Sequence, residues 1–493
     1  MLFDPLKVGG MTLANRIAVP AMVTRLSGTD GFVNEEIIQR YKRYAHGGTG
    51  LIVVEATAVH EAKSGPLLRL GHSKYIAGHR ALVDQVHGES DAKVLPQIIH
   101  FLKVARSGWR QTIDSLSIAD IESIIEDFAD AAARAREAGY DGVELHSAHA
   151  YTLASFLSRK NPRRDLYDGR SASGRLRLLT RVYGAVRDKV GSDWPIGVRI
   201  LADECIKDGS TVEDAKATAQ HLVQLGIDYI SLSVGGKFED AQQREGQPLY
   251  PYTGYSGDRC MPDHRYPPAT NLPAMAAVQE HLAQFRGARG RKVPVLAAGK
   301  ISTANEAETI LRSGHADIIG MARQLLADPD WPKKVAAGQE DPIVRCIYCN
   351  VCKKLDESFK QVRCFLWPKG TLHAPMADDL SRPRWPTEGA QLIGETRSNE
   401  VLLRWKPATG PGVHRYEIRR ADEQGSTTIL DAVKGTRYVD RTLIPDNRYT
   451  YCVHAYDATG RGTDASNSLS IDFPPQLGNA IATKPDNTDA RKS

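Results

Sequence analysis

Up to about residue 335, short apolar runs alternate along the chain with amphipathic stretches. The apolar runs have the length of buried strands, whereas Ile118–Ala138 and Thr211–Leu225 repeat their apolar residues at helical spacing. The runs predicted to be strands are Ile17–Val19, Leu51–Val54, Val94–Ile98, Gly142–Leu145, Ile196–Ile200, Tyr229–Ser233, Val293–Ala297 and Asp317–Ile319. This succession of strand and helix units favours a closed (β/α)8 barrel, a TIM barrel, over an open α/β sheet.

Polar residues follow several of these runs, where each predicted strand ends. They are Glu55, Gln97, His100, His146, His149, Arg199, Gly299 and Arg323. The carboxyl ends of barrel strands meet at one face, and that face carries the chemistry of such barrels. We therefore expect a site at this face. The opening run KVGGMTLANR predicts a small hairpin that plugs the opposite end.

The pattern changes after Cys364 to a proline-rich segment and then to short alternating runs. The predicted strands are Val401–Lys406, Arg415–Arg420, Thr428–Asp431, Arg437–Asp440, Arg448–Asp457 and Ser468–Phe473. The alternation over Tyr449–Ala455, together with Trp405, resembles a fibronectin type III domain, a small all-β sandwich. We expect the barrel over 1–340, a cysteine-rich segment over 341–372, a linker over 373–392, the sandwich over 393–475 and a disordered tail over 476–493.

The composition is typical of a globular protein, with 41% hydrophobic and 25% charged residues in a chain of 493. A net charge of +5 is small for this length and does not indicate a nucleic acid or an anionic membrane as partner. No apolar run approaches the ~20 residues of a membrane span. The first residues, MLFDPLKVGG, lack the pattern of a secretory signal. These features predict a cytoplasmic protein.

Four of the seven cysteines lie close together in a C-x2-C-x2-C-x11-C run. They are Cys346, Cys349, Cys352 and Cys364. Three closely spaced thiolates and a fourth farther along can each bind one iron of a [4Fe-4S] cluster. A structural zinc ion and free thiols are the alternatives. The remaining cysteines, Cys205, Cys260 and Cys452, are isolated, and we interpret them as ordinary thiols.

The stretch Gly235–Pro268 is long for a barrel loop and contains several aromatic residues with Gly and Pro. Loops of this length in compact domains are usually functional. The stretch is therefore predicted to form a lid or wall of the site. The alternative is a surface decoration without a role in binding.

Three groups of motifs occur in order over residues 1 to about 370: LFDPLKVGGMTLANRI, then HSAHAYTLASFLS with NPRRDLYDG, then AAGKISTANEAETIL with ADIIGMARQLLADPDW. In these motifs the chain resembles the old yellow enzyme, or NADH:flavin oxidoreductase, family of FMN barrels. The cysteine run is similar to that of its iron–sulfur branch, which includes bacterial 2,4-dienoyl-CoA reductases and trimethylamine dehydrogenase. The resemblance implies FMN and a [4Fe-4S] cluster as cofactors.

Two turns predict a phosphate site for the flavin. Gly299 and Lys300 follow the seventh predicted strand, and Ala322 and Arg323 follow the eighth. Their backbone N–H groups, with the Arg323 side chain, form a phosphate cradle where many such barrels bind one. The family usually has Gly at positions 300 and 322, so the cradle is altered in this chain.

The resemblance implies further flavin contacts, at Ala21, Met22, Val23, Ala56, Gln97 and Arg199. Gln97 and Arg199 match residues that face the polar edge of the flavin. Val23 stands where relatives often have Thr or Cys. Because Val offers no hydrogen bond there, we expect a different flavin reduction potential.

The resemblance also assigns a substrate site to His146, His149 and Tyr151. The family uses the two histidines to bind a substrate carbonyl oxygen, where two donors stabilise developing negative charge. Tyr151 matches its proton donor to the α-carbon, a general acid. Trimethylamine-type relatives have Tyr where His146 stands, so His146 favours carbonyl activation over amine oxidation.

The resemblance therefore implies an ene-reductase for α,β-unsaturated carbonyl compounds, driven by NAD(P)H or by a protein electron donor. The alternative is a dehydrogenase that oxidises a C–H or C–N bond and passes electrons through the cluster to an acceptor protein. A non-catalytic binding protein is a third hypothesis. Known iron–sulfur members continue after the cluster into nucleotide-binding domains, whereas the residues after Cys364 carry no cofactor motif. Two electron routes are therefore open: NAD(P)H reduces the flavin directly in the substrate site, or a separate ferredoxin- or flavodoxin-like protein docks near the cluster. The oligomeric state is left open, and a homo-oligomer is compatible with the sequence.

Overall fold

A computed structural model describes most of the chain, in the ranges 1–62, 65–102, 111–149, 151–236, 257–287, 290–340, 342–375, 383–386, 388–397, 399–409 and 412–474. The chain divides into two compact units, Met1–Met376 and Ala377–Ser493. Within the described ranges, no helix is both long and apolar enough to cross a lipid bilayer. The predicted tail over 476–493 lies outside the described residues.

The first unit alternates strands and helices. Its strands are β1 (Leu6–Val8), β2 (Met11–Leu13), β3 (Ile17–Val19), β4 (Leu51–Ala58), β5 (Leu68–Arg69), β6 (Lys93–Ile99), β7 (Val143–Ser147), β8 (Ile196–Asp203), β9 (Tyr229–Val234), β10 (Val295–Ala298) and β11 (Ile318–Gly320). Its helices are α1 (Glu35–His46), α2 (Ile76–Glu89), α3 (Ile118–Glu137), α4 (Thr152–Leu157), α5 (Ala172–Val190), α6 (Val212–Leu225), α7 (Gly257–Cys260), α8 (Leu272–Leu282), α9 (Ala304–Arg312), α10 (Ala322–Ala327), α11 (Trp331–Ala336) and α12 (Val351–Glu357). Two short 3-10 turns lie at Ser73–Tyr75 and Ile113–Ser115.

Eight of these strands form a closed parallel barrel, which confirms the predicted TIM barrel. The order is β3-β4-β6-β7-β8-β9-β10-β11, and the ring closes where β11 pairs with β3. Strand β5 adds to β4 outside the ring. Every strand predicted for the barrel is present, although β4 and β8 extend several residues farther than the apolar runs indicated.

The barrel forms because its strands are buried on both faces and its helices on one. Every residue of β4 and of β9 is buried, as expected for parallel strands covered by helices. Helices α3, α6 and α9 each begin with a capping box, at Ser117, Thr211 and Thr303 respectively, which satisfies free N–H groups of the first turn. Local sequence signals and the buried pattern therefore specify the same fold.

The predicted N-terminal hairpin is present as the antiparallel pair β1 and β2. Val8, Met11 and Leu13 pack into a cluster with barrel-interior residues that include Tyr229. Gly9 has a φ of +54°, and a Cβ there would meet Asp228, the residue before β9. The hairpin therefore closes the end of the barrel where the strands begin, and leaves the opposite end for the site.

The second unit consists of antiparallel strands. They are β12 (Ile393–Arg397), β13 (Glu400–Arg404), β14 (Arg415–Ala421), β15 (Thr427–Val433), β16 (Arg437–Asp440), β17 (Asn447–Tyr456) and β18 (Leu469–Phe473). One sheet has the order β12-β13-β16, and the other has the order β15-β14-β17-β18. The six strands predicted for this region are present. Strand β12 was not predicted, because all of its residues are exposed and its sequence has no apolar alternation.

Candidate active site and cysteine pocket

A large cavity, called the mouth pocket here, opens at the carboxyl ends of the barrel strands. Its lining includes every residue that the sequence predicted to contact flavin or substrate: Ala21, Met22, Val23, Ala56, Gln97, His146, His149, Tyr151, Arg199, Gly299, Lys300, Ala322 and Arg323. Chain positions from 21 to 323 meet there because parallel barrel strands end at one face. Two predicted strand-end residues do not line the pocket. Glu55 bonds to Tyr41, and His100 bonds to Thr152.

One end of the mouth pocket is cationic. Lys300 and Arg323 lie after β10 and β11, and Lys300 has a φ of +56°, a conformation that the usual family residue Gly adopts more easily. The Lys300 Nζ donates to the backbone oxygens of Asp263 and Tyr266. Burial, followed by the charge of Arg323, lowers the pKa of Lys300 below its usual value.

Asn271 also lies at this end of the pocket, and no pattern in the sequence indicated it. Asn271 is 3% exposed and lines the pocket beside Gly299. Its Nδ2 donates to the Arg259 backbone oxygen, whereas its Oδ1 is buried and has no hydrogen-bond partner among the described residues. A buried acceptor without a donor is costly, so this oxygen is suited to a hydroxyl of a bound ligand.

The floor of the pocket holds a buried network of hydrogen bonds. The Glu144 carboxylate accepts from Gln97 Nε2 at 2.6 Å and from the Tyr229 hydroxyl at 2.8 Å. Burial raises the pKa of Glu144, and the nearby Arg199 charge opposes this shift. Arg199 donates from Nη1 to Ser231 Oγ at 3.1 Å. Gln97 and Arg199 are therefore held in fixed positions before a ligand binds.

The sequence contains one signal for this network. Ser231 and Ser233 alternate along β9, a strand that is otherwise apolar except for its first residue, Tyr229. Alternate residues of a strand point to one face. Two serines at alternate positions in such a strand therefore indicate a polar barrel interior.

The other end of the pocket contains the two histidines and Tyr151. The ring centroid of His146 is 5.1 Å from that of His149 and 5.0 Å from that of Tyr151. Burial, followed by the Arg199 charge, lowers the pKa of His146 to about 3. Burial, then His146 and Arg199, lowers the pKa of His149 well below its usual value. Both rings are therefore neutral at physiological pH.

The hydrogen bonds of the histidines differ. His146 Nδ1 accepts from the Ala148 N–H at 3.4 Å, which leaves the proton of the neutral ring on Nε2. His149 has a φ of +61°, and its Nε2 lies 2.9 Å from Ser233 Oγ and 3.1 Å from Cys260 Sγ. Ser233 Oγ also accepts from Arg199 Nη2 at 3.3 Å. Cys260, which the sequence shows as isolated, is thus brought by folding to His149; its interpretation as an ordinary thiol stays a prediction.

The four clustered cysteines line a second, smaller pocket, called the cysteine pocket here. Apolar residues that include Leu326, Phe365 and Leu366 complete its wall. The backbone N–H of Tyr348 and that of Leu366 each donate to a cysteine sulfur, Cys346 Sγ and Cys364 Sγ, at 3.4 Å. Burial raises the pKa of the Cys346 and Cys364 thiols, and raises that of Cys352 to about 12.

The cysteines surround their pocket rather than converging on one point. Among the described residues, no three His, Cys, Asp or Glu side chains stand close enough to hold a single metal ion. The two pockets share the wall residues Arg323, Tyr348 and Cys352. The Tyr348 ring lies 4.7 Å from Lys300 Nζ and 4.8 Å from Arg323 Cζ, and Arg323 Nη1 donates to Asn350 Oδ1 at 2.7 Å. The cysteine segment is thus in direct contact with the cationic end of the mouth pocket.

Most of the long stretch Gly235–Pro268, predicted as a lid or wall, lies outside the described residues. Its described end includes α7, and Cys260 and Met261 line the mouth pocket. The contribution of residues 237–256 stays a prediction.

The chain matches known proteins over its first two thirds. A family model described as NADH:flavin oxidoreductase / NADH oxidase matches residues 1–253 and 270–342. The NADH oxidase of Thermoanaerobacter brockii is 32% identical over 371 residues, which are 71% of this chain and 53% of that protein. The N,N-dimethylglycine/sarcosine dehydrogenase of Chromohalobacter salexigens is 29% identical over 376 residues, 71% of this chain and 50% of that protein. The chain spans about half the length of these curated relatives.

A solved structure of 2-naphthoyl-CoA reductase with 2-naphthoyl-CoA is similar to the barrel region. It superposes with a TM-score of 0.63 at 24% identity, and covers 74% of this chain and 56% of its own. At this identity the likeness shows the fold alone.

Proposed function

We propose, since the chain belongs to the NADH:flavin oxidoreductase / NADH oxidase family, that it is an FMN- and [4Fe-4S]-dependent reductase of α,β-unsaturated carbonyl compounds. One observation carries the proposal. A single pocket joins a cationic end, a fixed polar floor and a pair of neutral histidines beside a tyrosine. In the proposed enzyme these three parts would serve as a phosphate site, a flavin-edge site and a carbonyl site.

The pocket residues fit FMN. Lys300 and Arg323 supply positive charge for the phosphate, and Asn271 Oδ1 supplies a buried acceptor for a ribityl hydroxyl. Gly320 lets the pocket wall pack closely, because a Cβ there would meet Leu296 and Ala298 at less than 3.0 Å. Gln97 and Arg199 would face the polar edge of the flavin ring. FMN, when bound, supplies the hydride for the β-carbon of the substrate after it has been reduced by NAD(P)H or by a protein donor.

The chain's own residues hold the substrate and move its proton. His146 Nε2–H and the neighbouring His149 would bind the carbonyl oxygen. Because both rings are neutral, they donate hydrogen bonds without transferring a proton to the oxygen prematurely. The negative charge that develops there is stabilised by donors fixed in advance. Tyr151, at 5.0 Å between its ring centroid and that of His146, would give its proton to the α-carbon.

The cysteine pocket fits a [4Fe-4S] cluster. Such a cluster binds one cysteine at each of its four irons, and four cysteines surround this pocket. A zinc ion, which needs its thiolates within about 2.3 Å of one point, is the alternative that the metal analysis below separates from the cluster. The two backbone N–H contacts to sulfur and the apolar wall would stabilise the cluster against water.

We further propose that electrons cross the shared wall to or from an acidic ferredoxin- or flavodoxin-like protein. Lys354, Lys360 and Lys369 are exposed in the stretch of chain that carries the cysteines, and Phe365 in the same stretch is 40% exposed. Exposed basic and apolar side chains in one stretch suit an acidic partner. Lys353 belongs to the same stretch but is buried and lines the mouth pocket.

The proposal is tested by cofactor analysis and anaerobic titration. The purified protein should contain one FMN and about four irons per chain. NADH, NADPH and reduced ferredoxin are then added in turn, while flavin and cluster absorbance are followed, and an enone such as 2-cyclohexen-1-one is added to the reduced protein. Reoxidation by the enone with formation of the saturated ketone supports the proposal. Stoichiometric zinc without acid-labile sulfide would contradict the cluster, and a reduced flavin that the enone does not reoxidise would contradict the reaction.

The second candidate is a dehydrogenase that passes electrons outward through the cluster. It is favoured by the similarity to a dimethylglycine/sarcosine dehydrogenase and by the shared wall between the pockets. The same titration separates the two candidates. Reduction of the flavin by a secondary or tertiary amine, without NAD(P)H, would support this candidate over the reductase.

A further inference from the structure

We propose that Cys260 is a covalent-modification site for electrophilic alkenes, whose thiol adds to the β-carbon of an α,β-unsaturated carbonyl compound bound in the mouth pocket. The inference deepens the proposed function, because it rests on the carbonyl site at His146 and His149. It concerns a second reaction of the same class of ligand, and this reaction needs no reduced flavin.

The geometry places a nucleophile at the substrate end of the pocket. Cys260 ends the short helix α7, is partly exposed and lines the mouth pocket. Its Sγ lies 3.1 Å from His149 Nε2, within hydrogen-bond distance for a thiol. A thiol beside a histidine nitrogen has a base for its proton, which is the arrangement that activates cysteine nucleophiles.

An independent observation points to a ligand atom close to the His149–Cys260 pair. His146 is 3% exposed and faces the pocket. Its Nδ1 is occupied by the Ala148 N–H. Within the described part of the chain, its Nε2 makes no hydrogen bond to protein. This buried donor is therefore available to a carbonyl oxygen, next to His149 and hence next to Cys260.

The groups that would promote hydride addition would also promote thiol addition. In both reactions a nucleophile attacks the β-carbon, and negative charge develops on the carbonyl oxygen. The His146 donor stabilises that charge whichever nucleophile arrives. The site therefore lowers the barrier for two competing additions, of which only the hydride addition needs a reduced cofactor.

The step is balanced without an oxidant or reductant. The Cys260 Sγ–Cβ bond forms while the carbon–carbon π bond breaks. The thiol proton passes to His149 Nε2, and the α-carbon receives a proton either from the His149 imidazolium directly or from Tyr151, whose phenolate then takes back the proton from the imidazolium, so that both side chains end neutral. The product is a thioether that retains the ketone. Because the neutral state of His149 is strongly favoured, the proton leaves sulfur only as the new bond forms, and the reaction is slow compared with turnover.

The chain contains a matched control. Cys452, in the second unit, lies 4.0 Å from His454 Nε2, and burial raises the pKa of its thiol. It is a cysteine–histidine pair without a neighbouring carbonyl site. General thiol reactivity would act on both pairs, whereas the proposed chemistry acts on Cys260.

The experiment uses the full-length holoenzyme with its flavin oxidised. The protein is incubated with 2-cyclohexen-1-one in the absence of NAD(P)H, and adducts are counted by intact-protein mass spectrometry and located by peptide mapping. We expect one adduct, at Cys260, in the wild type and in C452S, and none at that position in C260S. H146A, which keeps the thiol and removes the oxygen donor, should slow the adduct about 100-fold. C260A replaces C260S if the latter does not retain FMN.

Two results would overturn the inference: an unmodified Cys260 in the wild type, or equal rates of adduct formation in the wild type and H146A. The second result would mean ordinary thiol reactivity. A parallel assay, with the enzyme reduced by dithionite so that the result does not depend on its natural electron donor, measures saturated ketone. Ketone formation without an adduct contradicts this inference alone, whereas an adduct without ketone formation contradicts the reductase proposal and supports the site.

Discussion

The mouth pocket and the cysteine pocket share Arg323, Tyr348 and Cys352. Burial favours the uncharged form of the functional groups in both pockets, but the uncharged form suits the role of the mouth pocket and not that of the cysteine pocket. In the mouth pocket, burial lowers the pKa of His146 to about 3, so the ring stays neutral and can donate a hydrogen bond from one nitrogen without carrying a charge. In the cysteine pocket, burial raises the pKa of the Cys352 thiol to about 12, away from the thiolate that binds metal.

Desolvation alone keeps the donors of the mouth pocket in the neutral state that suits their role. The cysteine pocket, in contrast, depends on a bound metal to hold its thiolates. Neutral donors in the mouth pocket are already held by Ser233, Ala148 and the barrel strands. Buried thiolates need the charge of a metal to offset the loss of water. The mouth pocket should therefore survive changes that destroy the cysteine pocket, and the following experiments test this asymmetry from the largest expected effect to the smallest.

Replacing Cys364 by Ala should remove the cluster. The protein should lose its iron and acid-labile sulfide, because a cubane that lacks one of four thiolates is poorly held. Turnover with a protein electron donor should be abolished, whereas dithionite should still reduce the FMN. Iron analysis and anaerobic absorbance measure both effects, and Cys452→Ala is the control. Unchanged partner-driven turnover in a folded, cluster-free variant would assign the cluster a structural role.

Replacing His146 and His149 together by Ala should lower turnover by ~10²–10³-fold or more, because the oxygen donors are lost. FMN and iron content should stay unchanged, since neither residue belongs to the cationic end or the cysteine pocket. Binding of a phenol, followed by its charge-transfer absorbance, reports the oxygen site directly. An unchanged phenol complex would contradict the assignment.

Replacing Tyr151 by Phe removes the proposed proton donor but keeps the ring. Oxidation of the reduced flavin by an enone should slow by about 10²-fold, while reduction by NAD(P)H stays nearly the same. Stopped-flow measurement of each half-reaction separates the two. Equal slowing of both would indicate a packing role for the ring.

The neutrality of His146 has a consequence for stability. Its folded-state pKa of about 3 lies below its unfolded value near 6.5, so the unfolded state binds more protons between these pH values. The free energy of unfolding should therefore fall as pH decreases from 6.5, by about 2 kcal/mol at pH 5 for this group. Urea unfolding at pH 7 and pH 5 should show a smaller decrease in H146N than in the wild type. An equal decrease would mean that His146 is protonated in the folded state.

Tyr348 tests the wall that the two pockets share. Tyr348→Leu removes the ring that lies 4.7 Å from Lys300 Nζ and 4.8 Å from Arg323 Cζ. FMN affinity, measured by flavin fluorescence, should weaken by ~0.5–2 kcal/mol, the size of a cation–π contact. Tyr348→Phe keeps the ring and should bind FMN as the wild type does. Equal weakening in both variants would assign the effect to the hydroxyl.

The sequence by itself determined the barrel. Apolar runs of strand length, separated by amphipathic helices, allow few arrangements other than a closed parallel sheet. Chain order then fixes which strands are neighbours. Gln97, Arg199 and the histidines stand at strand ends, so their position around one cavity could be predicted. The cysteine spacing likewise predicted that the four side chains would lie around one site, because most of the run is local in sequence.

Only the tertiary structure decided the contacts made by loops. Cys260 and His149 are 111 residues apart, and no local pattern encodes their 3.1 Å separation. Asn271 and Lys353 have polar side chains that a sequence pattern assigns to the surface, yet both are buried at the mouth pocket. Periodicity predicts which face of a regular element is buried, whereas the direction of a side chain in a turn or short helix depends on the packing around it. That packing alone sets the position of Cys260 beside His149 and the wall that the two pockets share.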